Sequence, residues 1–267
     1  MTAQFKTPEM QEQIIRKVTL VGNGAHIFVP KEWLGKNVIV SKAQEKTLNE
    51  KIFSLIEPHL ESIIGVYLYG SQARNEAQED SDIDLLIITL KDLKIKQLGF
   101  EIICLKENEL DKAIKSSPEI MYSIIAEAKP IINPKLLQEL REKHTPKPSD
   151  FKKFINSTEK IIRINSVALK EEEKLGKETL DTSSAYSIML RLRGLFIISN
   201  LLKNKPSSNK DFKNWIESNI QNIEYSKIYA IYRAVKNSIP IKQKIKISDL
   251  KLLLSFLIKE TKLLKNK

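Results

Sequence analysis

Ile63-Ile-Gly-Val-Tyr-Leu-Tyr69, then Gly70-Ser71-Gln72-Ala73-Arg74, a polar spacer over 75–80, and Ser81-Asp82-Ile83-Asp84-Leu85-Leu86-Ile87-Ile88 form the stretch whose reading decides the fold. The first apolar run predicts a buried strand ending at Gly70. Gly70 lets the backbone turn and approach a ligand closely, and 71–74 reads as the first turn of a helix. A second strand follows the spacer and carries Asp82 and Asp84 two residues apart, so both carboxylates leave the same face. Residues 85–88 are apolar at every position, the pattern of a strand covered on both faces.

Two carboxylates side by side repel each other unless a cation lies between them. Their hard oxygens suit Mg²⁺, which prefers a few carboxylates together with substrate phosphates. A Gly-Ser turn opening a helix offers N–H groups and a hydroxyl to phosphate oxygens, and Arg74 adds a fixed positive charge. Phosphate cradle and metal carboxylates together describe a site for metal-assisted nucleotidyl transfer.

Gly70-Ser71-x-Ala73-Arg74 followed by Ser81-Asp82-x-Asp84-Leu85 resembles the signature of the minimal nucleotidyltransferases, small members of the polymerase-beta-like superfamily. The resemblance implies a mixed sheet with flanking helices. It also implies transfer of a nucleoside monophosphate, with AMP the first candidate, from a nucleoside triphosphate such as ATP. By the same resemblance Asp82, Asp84 and Glu101 are the metal-binding and catalytic carboxylates, with Glu101 standing where the family more often has Asp. Gly70, Ser71, Arg74 and Ser81 are the nucleotide-binding candidates.

The chain has 267 residues, room for about two domains, and one cysteine, Cys104, in a predicted strand. No apolar run approaches the roughly 20 residues that span a bilayer, and the polar N-terminus lacks a signal-peptide core, so a soluble cytoplasmic protein is expected. The net charge of +11 is uneven. Residues 151–267 hold 24 Lys and Arg against 11 Asp and Glu, and residues 1–150 hold 20 against 22. The basic half would attract polyanions, although lysine-rich helical faces also serve solubility alone.

Residues 16–21 and 25–29 read as strands around the turn Gly22-Asn23-Gly24, with a helical turn over 31–35 and a third strand over 36–40. This segment resembles the swapped-hairpin modules of AbrB-like transcription factors, and more closely a small archaeal family of transposon-encoded proteins. Three short strands cannot bury a core alone, which suggests a homodimer or support from the neighbouring domain. By the resemblance Arg16, Lys17, Lys31 and Lys36 are nucleic-acid-binding candidates, a packing hairpin without DNA contact being the alternative.

Leu48, Ile52, Leu55 and Ile56 make a helical stripe expected to pack on the sheet. Helices over 107–116 and 118–128, a short edge strand at 130–132 and a helix near 136–141 precede a Pro-rich linker over 143–150. Five helices follow, the second over about 182–203 and the last opened by Ser248, and they predict an antiparallel bundle. Such bundles accompany nucleotidyltransferases as HEPN-like domains. The HEPN ribonuclease pattern of Arg followed by His is missing, because no histidine follows His144.

The fold expected is therefore α+β: an AbrB-like module over 1–45, a nucleotidyltransferase domain over 46–145 and a helical bundle over 150–267. The acceptor is expected between the last two, and a protein tyrosine, an RNA end and an aminoglycoside-like molecule all remain open. The rival reading is a DNA-binding regulator of a mobile element or toxin–antitoxin pair, with the transferase fold as scaffold.

Overall fold

The computed structural model describes residues 14–41, 46–78, 81–180, 182–221, 223–240 and 244–267. The expected polar lead before residue 14, and the end of the expected loop at Asp80, lie outside them. The chain divides after Pro58 into two compact units.

In the first unit, β1 (Thr19–Val21) and β2 (Gly24–His26) pair antiparallel around a turn in which Gly22 has φ +53°. A 3-10 turn follows at Lys31–Trp33. Residues 36–40, expected as a third strand, take no regular secondary structure. A strand exists only where a neighbouring backbone bonds to it, and the β1–β2 ladder offers them none. Helix α1 (Leu48–Ile56) starts with a full capping box, Thr47 and Glu50 each accepting from the other's N–H, and its residues Ile52 and Ile56 are buried.

The second unit opens with a four-stranded mixed sheet ordered β5-β4-β3-β6. β3 (Ile63–Tyr69) lies antiparallel to both β4 (Ile83–Thr89) and β6 (Lys129–Ile132), and β4 runs parallel to β5 (Phe100–Lys106). A short helix α2 (Gly70–Ala73) joins β3 to the loop before β4. Residues 85–88 are fully buried, as a central strand covered on both faces requires. Helices α3 (Leu110–Ser116), α4 (Pro118–Glu127) and α5 (Pro134–Lys143) flank the sheet, and Cys104 sits half-buried within β5.

The rest is helical: α6 (Lys152–Lys174), α7 (Thr182–Leu201), α8 (Asn209–Asn219), α9 (Tyr225–Lys236) and α10 (Ile247–Lys265). One small antiparallel pair, β7 (Thr179–Leu180) with β8 (Ile245–Lys246), departs from the expected all-α bundle. α10 begins one residue before Ser248, whose hydroxyl bonds Asp249 instead of capping the helix. A single core joins sheet and bundle: Tyr67, Leu86 and Ile88 of the strands cluster with residues of α4, α7 and α10. Tyr122 of α4 seals the junction by donating to Asp150 (3.0 Å) while its ring packs on Phe151. Among the described residues no helix is long and apolar enough to cross a membrane.

Candidate active site

Strand register places the acids. Tyr69 pairs with Asp84 across β3 and β4, and Asp84 pairs with Glu101 across β4 and β5. Directly opposed residues share a face, so Tyr69, Asp84 and Glu101 form one row across the sheet. Asp82 precedes the first residue of β4 by one position and is exposed, as is Glu101, while Asp84 is half-buried. Burial pushes the Asp84 carboxyl up to about 6; Glu101 and, more weakly, Asp82 push the same way, while Lys236 and Arg74 oppose them. Burial and the nearby acids Asp84, Glu101 and Glu127 likewise raise the Tyr69 phenol.

Gly70 is required here. Its φ of +72° lies in the left-handed region, and a Cβ would overlap the Asp84 carboxylate, 2.7 Å from Cγ. The turn that follows lasts only one helical turn: Asn75 has φ +58° and the Glu76 N–H bonds back to the Ser71 carbonyl (2.9 Å). Ser71 is half-buried beside Gly70, and Ser81 closes the far side of the loop by accepting from the Gln78 N–H (2.9 Å).

Glu127, at the end of α4, was not among the residues singled out from the sequence. Its Oε1 accepts from the Gly70 N–H (2.9 Å) and its Oε2 from Arg74 Nη1 (2.7 Å). Arg74 Nε donates to Glu76 Oε2 (2.9 Å), and Glu76 in turn accepts from the Asn209 N–H (3.0 Å) at the start of α8. The Arg74 and Glu127 side chains are only 18% and 14% exposed. The guanidinium expected to face phosphate is thus committed to two carboxylates that tie the glycine turn to α4 and the bundle. The sequence offers one signal for Glu127: it heads the segment Glu127-Ala-Lys-Pro-Ile, which resembles the closing part of the minimal nucleotidyltransferase domain.

Three carboxylates at the ends of adjacent strands are a hard-oxygen donor set whose mutual repulsion a divalent cation would relieve, so the residue types fit Mg²⁺. Among the described residues no three acids already stand grouped around one metal position. Asp82 and Glu101, both exposed, would have to rotate towards Asp84 to share an ion.

Of the bundle arginines, Arg191 packs over the Phe154 ring (5.0 Å) and donates to Ser157 Oγ (2.9 Å), a role within the bundle. Arg193 lines a small cavity with Arg74, Glu127 and Phe212, at the junction of sheet domain and bundle. The four candidate cations of the first unit, Arg16, Lys17, Lys31 and Lys36, are exposed, and Arg16 Nη1 donates to the Ile15 carbonyl (3.1 Å).

Comparison with known proteins agrees with this layout in part. Residues 50–136 match the family described as Polymerase beta, Nucleotidyltransferase, and residues 2–41 match the transposon-encoded protein family DUF2080. No curated protein matches the sequence. Among solved structures, the spectinomycin adenyltransferase of Enterococcus faecialis, crystallised with ATP and spectinomycin, is similar at 17% identity and TM-score 0.46, over 79% of this chain and 97% of that one. A nucleotidyltransferase-like protein of Exiguobacterium sibiricum is similar at 15% identity and TM-score 0.35, over 79% and 72%. The region that carries the glycine turn and the first two aspartates is therefore similar to the nucleotidyltransferases, and Glu101 falls within the same matched span.

Proposed function

We propose that the chain transfers a nucleoside monophosphate, AMP being the first candidate, from a nucleoside triphosphate to a hydroxyl acceptor. The observation that carries this is the Asp84 carboxylate, held against Gly70 and opposed across the ladder by Glu101. Asp82, Asp84 and Glu101 would hold Mg²⁺, which when bound supplies Lewis acidity to the triphosphate and neutralises the leaving pyrophosphate. The acceptor oxygen bonds to the α-phosphorus as the bond to pyrophosphate breaks. The hydroxyl proton passes to a carboxylate, Glu101 in this reading, and then to water. Ser71 faces the phosphates from the turn. Arg74 acts mainly as a positioning residue, because its bonds to Glu127 and Glu76 fix the shape of that turn.

Incubation with each α-labelled nucleoside triphosphate and Mg²⁺ tests the reading. Pyrophosphate release that disappears in Asp82→Ala and Asp84→Ala supports it. Release at the wild-type rate in both variants would remove those aspartates from the chemistry.

A second reading concerns residues 14–41, which expose large apolar side chains, among them Leu20, Phe28, Leu34 and Ile39. We infer that this module associates with a second copy and presents Arg16, Lys17, Lys31 and Lys36 to DNA. A salt-sensitive mobility shift that persists in Asp84→Ala and fails in the Arg16→Ala, Lys17→Ala double variant supports it.

A further inference from the structure

The carboxylate that holds the glycine turn is itself held from behind. Helix α4 closes with a bond from the Ala128 N–H to the Ile124 carbonyl. Beyond that bond the helix runs out of donors. The Ile125 carbonyl would need the N–H of Lys129, which opens β6 and pairs with Leu68 of β3. The Ala126 carbonyl would need one from Pro130, which has none.

Arg141, in the last turn of α5, supplies what is missing. Its Nε donates to the Ile125 carbonyl (2.8 Å), and its Nη2 to the carbonyls of Ala126 (3.2 Å) and Ala128 (2.7 Å). A planar guanidinium presents several donors at once, and its charge suits the negative pole of a helix C-terminus. The three acceptors flank Glu127 on both sides in the chain, so the clamp fixes the backbone from which that side chain extends. Arg141 is solvent-exposed. In its absence water reaches the carbonyls, and the helix end loosens while the core stays closed.

Helix α5 is fixed in turn to β3. Asn133 caps its first turn by accepting from the Leu136 N–H (3.1 Å) and donates from Nδ2 to the Ile64 carbonyl (3.1 Å). The Asn133 carbonyl accepts from the Tyr67 hydroxyl (3.1 Å). A ring of contacts thus runs from Ile64 through Asn133, Arg141 and Glu127 and returns to Gly70, just past the other end of the same strand.

We infer that Arg141 is a positioning residue of the glycine turn: by clamping the end of α4 it fixes Glu127, and through Glu127 the Gly70 N–H and the Arg74 guanidinium. Its bonds are to backbone carbonyls, so it acts through Glu127 and not on substrate. The consequence for catalysis rests on the nucleotidyl-transfer reading; the clamp itself does not.

Two measurements on the full chain test this. Amide hydrogen exchange followed by NMR reads the Gly70 N–H with no nucleotide present. Arg141→Ala and Glu127→Ala should each speed exchange at Gly70 by about tenfold, while Leu86 and Ile87 in the central strand keep wild-type protection. Adding Arg141→Ala to Glu127→Ala should change nothing further, because one acts through the other. Calorimetry with Mg²⁺ and α,β-methylene-ATP, whose α–β bridge resists cleavage, reads affinity without turnover. Arg141→Ala should weaken that binding by about tenfold, and Arg141→Lys should recover part of the loss. Arg163→Ala, which removes an exposed cation of α6, should leave Kd unchanged. In pyrophosphate release the loss should fall on KM, with kcat altered by less than about threefold.

Unchanged Gly70 exchange in Arg141→Ala, or acceleration spread equally over Leu86 and Ile87, would overturn the assignment. So would further loss in the double variant, or analogue binding that Arg141→Ala leaves intact or that Arg163→Ala weakens equally. A wild-type chain that releases no pyrophosphate, with both shifts still seen in Arg141→Ala, would sink the transfer reading and support the clamp, so the two fail separately.

Discussion

Residues 85–88 and residues 38–40 are both runs of large apolar side chains, and the chain treats them in opposite ways. The first run lies in β4, with β3 bonded along one edge and β5 along the other, and every side chain is fully buried. The second forms no ladder, and Ile39 is 98% exposed. Apolar sequence supplies the tendency to extend and bury; a backbone partner on each side turns that tendency into a strand. Chemistry gathers where the partners are, because a fixed register sets Asp84 opposite Glu101.

That contrast is most strongly tested at the acids. Asp84→Ala, and separately Asp82→Ala, should lower pyrophosphate release by about a thousandfold, while circular dichroism stays at wild-type helix and strand content. Ile87→Ala comes next: it removes a fully buried side chain from the central strand and should cost about 2–5 kcal/mol, read as a lower urea midpoint. An unchanged midpoint would mean that the strand does not sit in a close-packed core.

The third effect is opposite in direction. Asp84 binds its proton more tightly in the folded chain, titrating near 6 against an ordinary 3.8. Its contribution to stability is therefore full below about pH 4 and is lost as pH rises through 6. Asp84→Asn should accordingly be the more stable protein at pH 7, by on the order of 2 kcal/mol, with the two converging near pH 4. Equal stability at both pH values would show that the carboxylate is not strained. Smallest of all, Ile39→Ser should shift thermal stability by no more than about 0.5 kcal/mol, since it alters an exposed side chain outside any ladder. Light scattering on the same variant sharpens the comparison, a lower mass than wild type indicating that the exposed module is covered by a second copy.

Much of the sheet domain was legible because its cues are local. The apolar run before Gly70, the Asp-x-Asp pair and the continuous apolar stretch after it fix two strands and the turn between them, and the left-handed φ of Gly70 follows from the same turn. Glu127 was not legible as part of the site. It lies 57 residues from Gly70 in sequence and reaches it only because β6 returns beside β3 and leaves the end of α4 over the turn. Arg74 shows the converse: its residue type suggested a phosphate contact, but Glu127 from a distant segment and Glu76 two residues away hold the guanidinium. The stack of Tyr225, Tyr229 and Tyr232 along α9 was hidden for a further reason. Helical spacing says that its residues share a face, but not that Tyr186 of α7 continues the stack.

The amino-acid sequence alone determined the element types of the sheet domain, the glycine turn and the identity of the acids, since period, capping and backbone sterics act over a few residues. Tertiary structure alone decided which of those groups meet. The opposition of Asp84 and Glu101 depends on strand register, the binding of Arg74 to Glu127 on how α4 ends, and the stacking of Tyr186 on Tyr232 on how α7 and α9 pack. Each of these is a distance between segments far apart in the chain, fixed by the burial of a shared core.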